Sequence, residues 1–185
     1  MNNLYYISLG ALLLVVLWLV ATFNSLVRYR NRAKEALSDI DVQLKRRFDL
    51  IPNLIETVKG YMSHEKSVLE NVTKARTSVM NMDGNPLKRD KAESQLSNTL
   101  KTLFAVSENY PDLKANTNFL ELQRELADTE NKIQASRRFY NTMVMSLNTA
   151  VQSFPTNLFT KAFGFSEEKF FEAAEGEKAP VKVNF

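Results

Sequence analysis

The alternation of apolar and polar positions divides the chain into regimes. Residues 5–23 form an uncharged apolar run of about 19 residues, which at about 1.5 Å per residue just crosses a hydrocarbon core of about 30 Å. From residue 26 the pattern turns amphipathic with no Gly or Pro between the two regimes. Ala33, Leu37, Ile40, Leu44, Ile51, Leu54 and Val58 recur on one helical face, Ala36, Phe48 and Ile55 widen it, and Asp41, Lys45 and Asp49 occupy the opposite face. The first helix of the domain is therefore expected to extend the membrane span directly. Such a domain stands on the membrane and does not hang from a linker.

Punctuation along the chain predicts the remaining elements. Pro52 lacks an N–H and crowds the Phe48 carbonyl, which predicts a kink or restart near Leu50. Gly60 offers a C-cap, and Ser63 an N-cap for a second helix from His64 to Met80 with Val68, Val72, Ala75 and Val79 inward. After a loop at residues 82–87, Asn85 and Pro86 open a third helix that carries Leu96, Leu100, Leu103 and Phe104 to Asn109. Tyr110 and Pro111 end it. Asn118 with Glu121 resembles a capping box for a fourth helix of about 33 residues, whose stripe is Phe119, Leu122, Leu126, Ile133, Tyr140, Val144, Leu147 and Val151.

The predicted fold class is all-α: a transmembrane helix continuous with an antiparallel bundle of about four helices, the first and last long. Residues 1–25 form the N-terminal segment and span, 26–171 the bundle, and 172–185 a flexible tail with a terminal anchor at 181–185.

Two polar residues interrupt apolar seams. Arg47 sits between Leu44 and Ile51, and Glu130 between Leu126 and Ile133. If the long helices share a distal tip near Gly60 and Asn118, both residues lie about 18 to 20 Å below it. Either they pair and fix helix register, or both side chains snorkel outward.

The second and third helices are too short to cover the membrane-proximal half of the long pair. Seven of the 12 phenylalanines crowd the C-terminal end: Phe154, Phe159, Phe163, Phe165, Phe170, Phe171 and Phe185. The segment from Phe154 to Phe165 is expected to pack back on the long helices just above the bilayer. A short element that dips into lipid or binds a partner is the sharper alternative.

Composition narrows the chemistry. Gly 5 and Pro 5 disfavour a turn-rich β fold, and Cys 0 removes disulfides, thiolate nucleophiles and Cys-ligated metals. A net charge of +3 on a mixed surface gives no reason to expect a nucleic-acid partner. The start lacks a basic side chain and residues 21–25 make a poor cleavage site, so the apolar run reads as a retained anchor and not a signal peptide. Arg28, Arg30, Arg32 and Lys34 follow the span, which by the positive-inside rule places the N-terminus outside and the bundle in the cytoplasm, on the cell inner membrane. The same four residues are candidates for contact with anionic headgroups.

His64 is the single histidine and lacks the second ligand of an H-E-x-x-H site, and the Glu-x-x-His repeats of a di-metal bundle are missing. Glu121 and Glu125 beside Arg124 and Asp128 read as a solvated face. No nucleophile, base and orienter come together, so no catalytic residue, metal site or cofactor is expected and the protein is read as not an enzyme.

Specific blocks resemble the LemA family of bacterial membrane proteins. They lie at residues 40–54, 58–61, 64–65, 110–115, 119–123, 130–133, 137–141 and 154–157, and cover nearly the whole chain. The family's Arg-Arg-x-Asp-Leu-Ile-Pro-Asn motif corresponds to Arg46, Arg47, Asp49, Leu50, Ile51, Pro52 and Asn53, with Phe48 at its variable position. The resemblance implies one N-terminal membrane helix, a cytoplasmic antiparallel bundle and no established reaction. It also implies a link to membrane organisation, magnetosome-type membranes included, and to HtpX-type membrane metalloproteases.

Two functional classes follow. One is a scaffold or adaptor that forms a homo-oligomer, contacts membrane lipids through its span and organises membrane or a metalloprotease partner. Its interaction face or register would use Asp41, Gln43, Lys45, Arg46, Arg47, Asp49, Pro52, Asn53 and Glu130. The other is a small-ligand or ion-binding membrane sensor that bends at Pro52.

Overall fold

The computed structural model describes residues 2–82 and 86–172. Among them the regular structure is entirely helical: α1 Asn2–Lys59, α2 Lys66–Met80, α3 Pro86–Ser107, α4 Pro111–Lys114, α5 Thr117–Gln152 and a 3-10 turn at Thr156–Leu158. The all-α expectation is met, with the first and last helices long. Helix α1 has 58 residues, a length of about 87 Å. The expected cap at Asn85 and the tail from residue 173, with its terminal anchor at 181–185, lie outside the described residues.

The chain forms two compact units, residues 1–36 with 138–170 and residues 37–137 with 171 onward. In the first unit, α1 is long and apolar enough to cross a membrane, and its side chains from Leu4 to Phe23 point outward. Immediately beyond that run, Leu26 meets Leu147 of α5 and Phe165, flanked by Val27, Tyr29, Ala150 and Val151. Arg30 lies over the Phe165 ring at 4.6 Å. Phe165 reaches this core because Gly164 adopts φ 71°, and the Phe165 N–H then donates to the Thr160 carbonyl at 2.9 Å. Asn148 next grips the returning backbone: its Nδ2 donates to the Glu168 carbonyl and its Oδ1 accepts from the Glu168 N–H, both at 2.9 Å. The Tyr140 hydroxyl donates to the Lys169 carbonyl at 2.9 Å. A return segment outside any helix thus has backbone polar groups of Glu168 and Lys169 met by side chains of α5. Phe154, expected in the same packing, is 79% exposed because it follows the end of α5 where the chain turns away.

In the second unit, Ile40, Leu44, Ile51, Leu54 and Val58 of α1 are buried. So are Val72, Ala75 and Val79 of α2, Leu96, Leu100 and Leu103 of α3, and Leu126 and Ile133 of α5. Each such Val, Leu or Ile side chain contributes about 1.5–3 kcal/mol when fully removed from water. Contacts fix the directions. Arg47 meets Glu130 while Tyr61 meets Asn116, so α1 and α5 run antiparallel. Asp41 pairs with Arg89 and Arg47 with Glu93, so α1 and α3 run parallel. Helix α2 packs on α3.

Several boundaries differ from the sequence pattern. Helix α2 begins at Lys66 and not His64, because the Tyr61 and Met62 N–H groups both bond the Val58 carbonyl and the chain spends residues 63–65 turning. Glu65, not Ser63, stands at its N-cap; its side chain makes no cap bond and accepts from the Tyr110 hydroxyl at 3.3 Å. Gly60 follows α1 without the positive φ of a left-handed cap. Helix α3 stops at Ser107, and Pro111 opens the one-turn helix α4 that the sequence reading left out. The N-cap of α5 is Asn116 and not Asn118: its Oδ1 accepts the Phe119 N–H at 3.0 Å while its Nδ2 donates to the Tyr61 hydroxyl.

The restart expected near Leu50 does not occur, and α1 runs through Pro52. A proline at that position leaves the Phe48 carbonyl, four residues earlier, without its helical donor. Arg76 of α2 supplies one, its Nε donating to the Phe48 carbonyl at 3.1 Å. Arg76→Met is expected to cost about 1–3 kcal/mol, the penalty for an orphaned acceptor. In a Pro52→Ala background, where the helix regains its own N–H, the same change should cost much less. Denaturant titrations of the four proteins in detergent measure the difference, and equal costs in both backgrounds would remove this role for Arg76.

Candidate functional site

The site grows from a conflict in the sequence, a guanidinium placed on the apolar stripe of α1. Arg47 is 2% exposed, so its charge must be met inside the protein. Two acids from two helices meet it. Nη2 pairs with Glu93 of α3, itself 1% exposed, and Nη1 reaches Glu130 Oε2 of α5 at 2.6 Å. Ser97, one turn after Glu93, accepts from Arg47 Nη1 at 3.0 Å and donates to Glu130 Oε2 at 3.2 Å. Gln134 completes Glu130 through its Nε2 at 3.2 Å from Oε1. Three helices thereby converge on one side chain.

Further pairs extend the layer. Asp41 pairs with Arg89 of α3 and not with Lys45 one turn along its own helix, Arg46 pairs with Glu125 of α5, and Arg137 Nη1 lies 2.9 Å from Asp90 Oδ1. Arg137 also stacks on the buried Phe171 ring at 5.2 Å. The two acids around Arg47 respond oppositely to their surroundings. Desolvation dominates at Glu93 and raises its pKa despite Arg47, Arg137 and Arg89. Desolvation is also the largest influence on Glu130, yet Arg47, Gln134, Ser97 and Arg137 together hold it below its ordinary value. The difference follows exposure, since the Glu130 side chain keeps 32% of its surface.

That open side of Glu130 forms the wall of a cleft of about 240 Å³. Leu100, Phe104, Leu126 and Ala127 give it apolar walls, and Arg47, Ser97, Lys101, Gln123 and Glu130 supply polar groups. Such a mixture suits a small amphipathic molecule. Among the described residues no group of His, Asp or Glu gathers in a way that could hold a metal ion, and His64 is exposed.

The other residues singled out in the sequence are dispersed. Lys45, Asp49, Pro52 and Asn53 are exposed on α1, and Gln43 is half-buried with Oε1 inside. Arg28, Arg32 and Lys34 are exposed, whereas Arg30 is half-buried on Phe165. Phe159 and Phe163 are partly exposed, and Phe165 is buried. The sequence reading missed Glu93, Ser97, Arg89 and Arg137. Glu93 had a signal, because it lies three residues before Leu96 on the same stripe as Leu100 and Leu103, as Arg47 does on α1. Arg137 falls likewise between Ile133 and Tyr140.

Arg47→Met is expected to cost about 3–5 kcal/mol, because Glu93 would be left buried and unpaired. Adding Glu93→Leu should return much of that loss, a gain that chemical denaturation in detergent reads directly. Acid titration separates the two carboxylates. The pKa of Glu130 is lowered by folding, so its contribution is present above its ordinary value of 4.5 and lost as pH falls through the folded value. The pKa of Glu93 is raised, so its contribution is present below 4.5 and lost as pH rises through the folded value. Stability measured against pH should accordingly lose part of its acid-side decline in Glu130→Gln and part of the opposite trend in Glu93→Gln.

The LemA family model matches residues 36–185. Protein LemA of Metamycoplasma hominis is 29% identical over 161 residues, 87% of this chain and 74% of that protein. Magnetosome protein MamQ of Magnetospirillum gryphiswaldense is 21% identical over 200 residues, 95% of this chain and 74% of its own length. Magnetosome protein MamQ 2 of Paramagnetospirillum magneticum is 20% identical over 205 residues, 97% of this chain and 75% of that protein. With an apolar N-terminal helix suited to membrane anchoring and a family model spanning both the Arg47 layer and the aromatic return, the chain belongs to the LemA family.

Proposed function

We propose that this protein is a non-enzymatic membrane scaffold or adaptor that self-associates on the cytoplasmic face of the cell inner membrane. There it organises membrane or a membrane protein partner, a metalloprotease of the HtpX type being the partner class that the family resemblance suggests. The observation that carries this reading is the use of charge between helices: Arg47 engages Glu93, Glu130 and Ser97 through its two terminal nitrogens, and Arg46, Arg89 and Arg137 each engage an acid on another helix. Side chains so committed set helix register, and they are poorly placed to move protons during a reaction. Lys45, Asp49 and Asn53 meanwhile remain exposed along one stretch of α1, available to a second copy or a partner. Relatives named as magnetosome proteins support a role at an organised membrane. The basic residues after the apolar run, Arg28, Arg32 and Lys34, support the cytoplasmic orientation.

A second reading, a sensor of a small amphipathic ligand, is favoured by the cleft beside Glu130. A ligand that raises the melting temperature of the wild type but not of Ala127→Trp would select it. The scaffold reading is tested by photo-cross-linking in cells from Lys45, Asp49 and Asn53. The expected result is a ladder of self-adducts together with a defined membrane-protein adduct. Monomer alone from all three positions would overturn it.

A further inference from the structure

The turn that follows α5 lies beside the membrane-spanning part of α1, not beyond it. The Phe159 ring meets Trp18 edge-on with centroids 6.4 Å apart, and Phe163 meets Phe23 at 5.3 Å. Trp18 and Phe23 belong to the apolar run, whose first following charge is Arg28. Five residues of helix separate Trp18 from Phe23, so Phe159 sits about 7–8 Å inside the end of the run. That depth matches the about 5–10 Å to which interfacial elements bury an apolar face in the headgroup and acyl boundary.

The chemistry of the turn agrees with its depth. Phe154 is 79% exposed and Leu158 64%, with Phe159 at 37% and Phe163 at 40%. These are large apolar side chains that water would penalise, and beyond the ring contacts with Trp18 and Phe23 they stay exposed among the described residues. The turn is also held from below. Gly164 at φ 71° and the Phe165 N–H bond to Thr160 anchor its end in the Leu26 and Leu147 core, so its apolar tip cannot fold under. Arg28 and Arg32 are exposed on α1 just past the run, and Lys161 is exposed within the turn, all placed to meet anionic headgroups.

We propose that residues 153–163 form a second membrane contact, a hydrophobic wedge inserted beside α1 into the leaflet from which α1 emerges. The occupant of this apolar surface is lipid, because the surface is continuous, through Trp18 and Phe23, with the exposed apolar run of α1 that is long enough to cross a membrane. The wedge rests on the anchoring of α1 and not on the scaffold role. It places two unequal insertions side by side in one leaflet, a helix that crosses and a turn that enters only the outer part.

The chain has Cys 0, so single cysteines report without background. Full-length protein carrying Leu158→Cys, Val16→Cys or Glu167→Cys is labelled with an environment-sensitive fluorophore. Each is reconstituted in vesicles of phosphatidylethanolamine and phosphatidylglycerol with acyl chains brominated near the headgroup. The wedge predicts a blue-shifted label at position 158 that loses emission to bromolipid as the label at 16 does and resists aqueous iodide, while the label at 167 is quenched by iodide. Iodide quenching at 158 without bromolipid quenching would overturn the proposal. Protection from both quenchers would overturn it too, since a second copy or another protein would then cover the turn. Failure of bromolipid quenching at both 16 and 158 would remove the anchor and the wedge together, leaving the scaffold reading to its own cross-linking test.

Discussion

The desolvation of one guanidinium organises the bundle. Arg47 is placed on the buried face of α1, where an unpaired charge would cost far more than the helix gains from packing. The fold resolves this by bringing Glu93 and Glu130 from two other helices to its two terminal nitrogens. A hydrophobic seam tolerates sliding by one turn with modest repacking, but a fork of charge-assisted hydrogen bonds does not. The interaction joins one level of α1 to one level each of α3 and α5, beside the cleft whose wall is Glu130. The opposite pKa shifts of the two acids express the same geometry, since one is sealed in and the other keeps a side open.

A similar logic recurs wherever the backbone loses a partner. Pro52 withdraws the donor that Phe48 needs, and Arg76 replaces it from α2. The return segment after Gly164 has no sheet to join, and Asn148 and Tyr140 supply its bonds from α5. Asn116 caps α5 with one atom of its amide and ties the tip to Tyr61 with the other. Each device lets a regular helix or a short return persist where local sequence alone would break it.

The membrane end follows a different physics. Along the apolar run the side chains face outward, which suits a lipid solvent, and the first buried core residue on α1 is Leu26. The aromatic turn joins these two regimes, with Phe165 in the protein core and Phe159 and Phe163 against Trp18 and Phe23 of the run. Membership of the LemA family fits a protein with an N-terminal apolar helix suited to membrane anchoring.

Much of the fold was legible in the chain because it is written in periodicity. The apolar run, the stripes of α1 and α5, the all-α class and the family motif need only local spacing, and helical spacing is local physics. Arg47 and Glu130 were conspicuous for the same reason, as polar breaks in apolar stripes. Glu93 carried that signal too, but a stripe does not name its partner, and three helices had to pack before a shared layer existed. Likewise Pro52 announces a lost donor, while only the approach of α2 decides whether the helix breaks. The boundaries at Glu65 and Asn116 lie where these side chains also meet distant residues, Glu65 accepting from Tyr110 and the Asn116 amide donating to Tyr61, partners that local spacing does not reveal. Composition marked the clustered phenylalanines, and the tertiary turn at Gly164 decided which faced protein and which faced outward, because its positive φ ends the turn with the Phe165 N–H on the Thr160 carbonyl and the Phe165 ring in the core while Phe163 stays exposed.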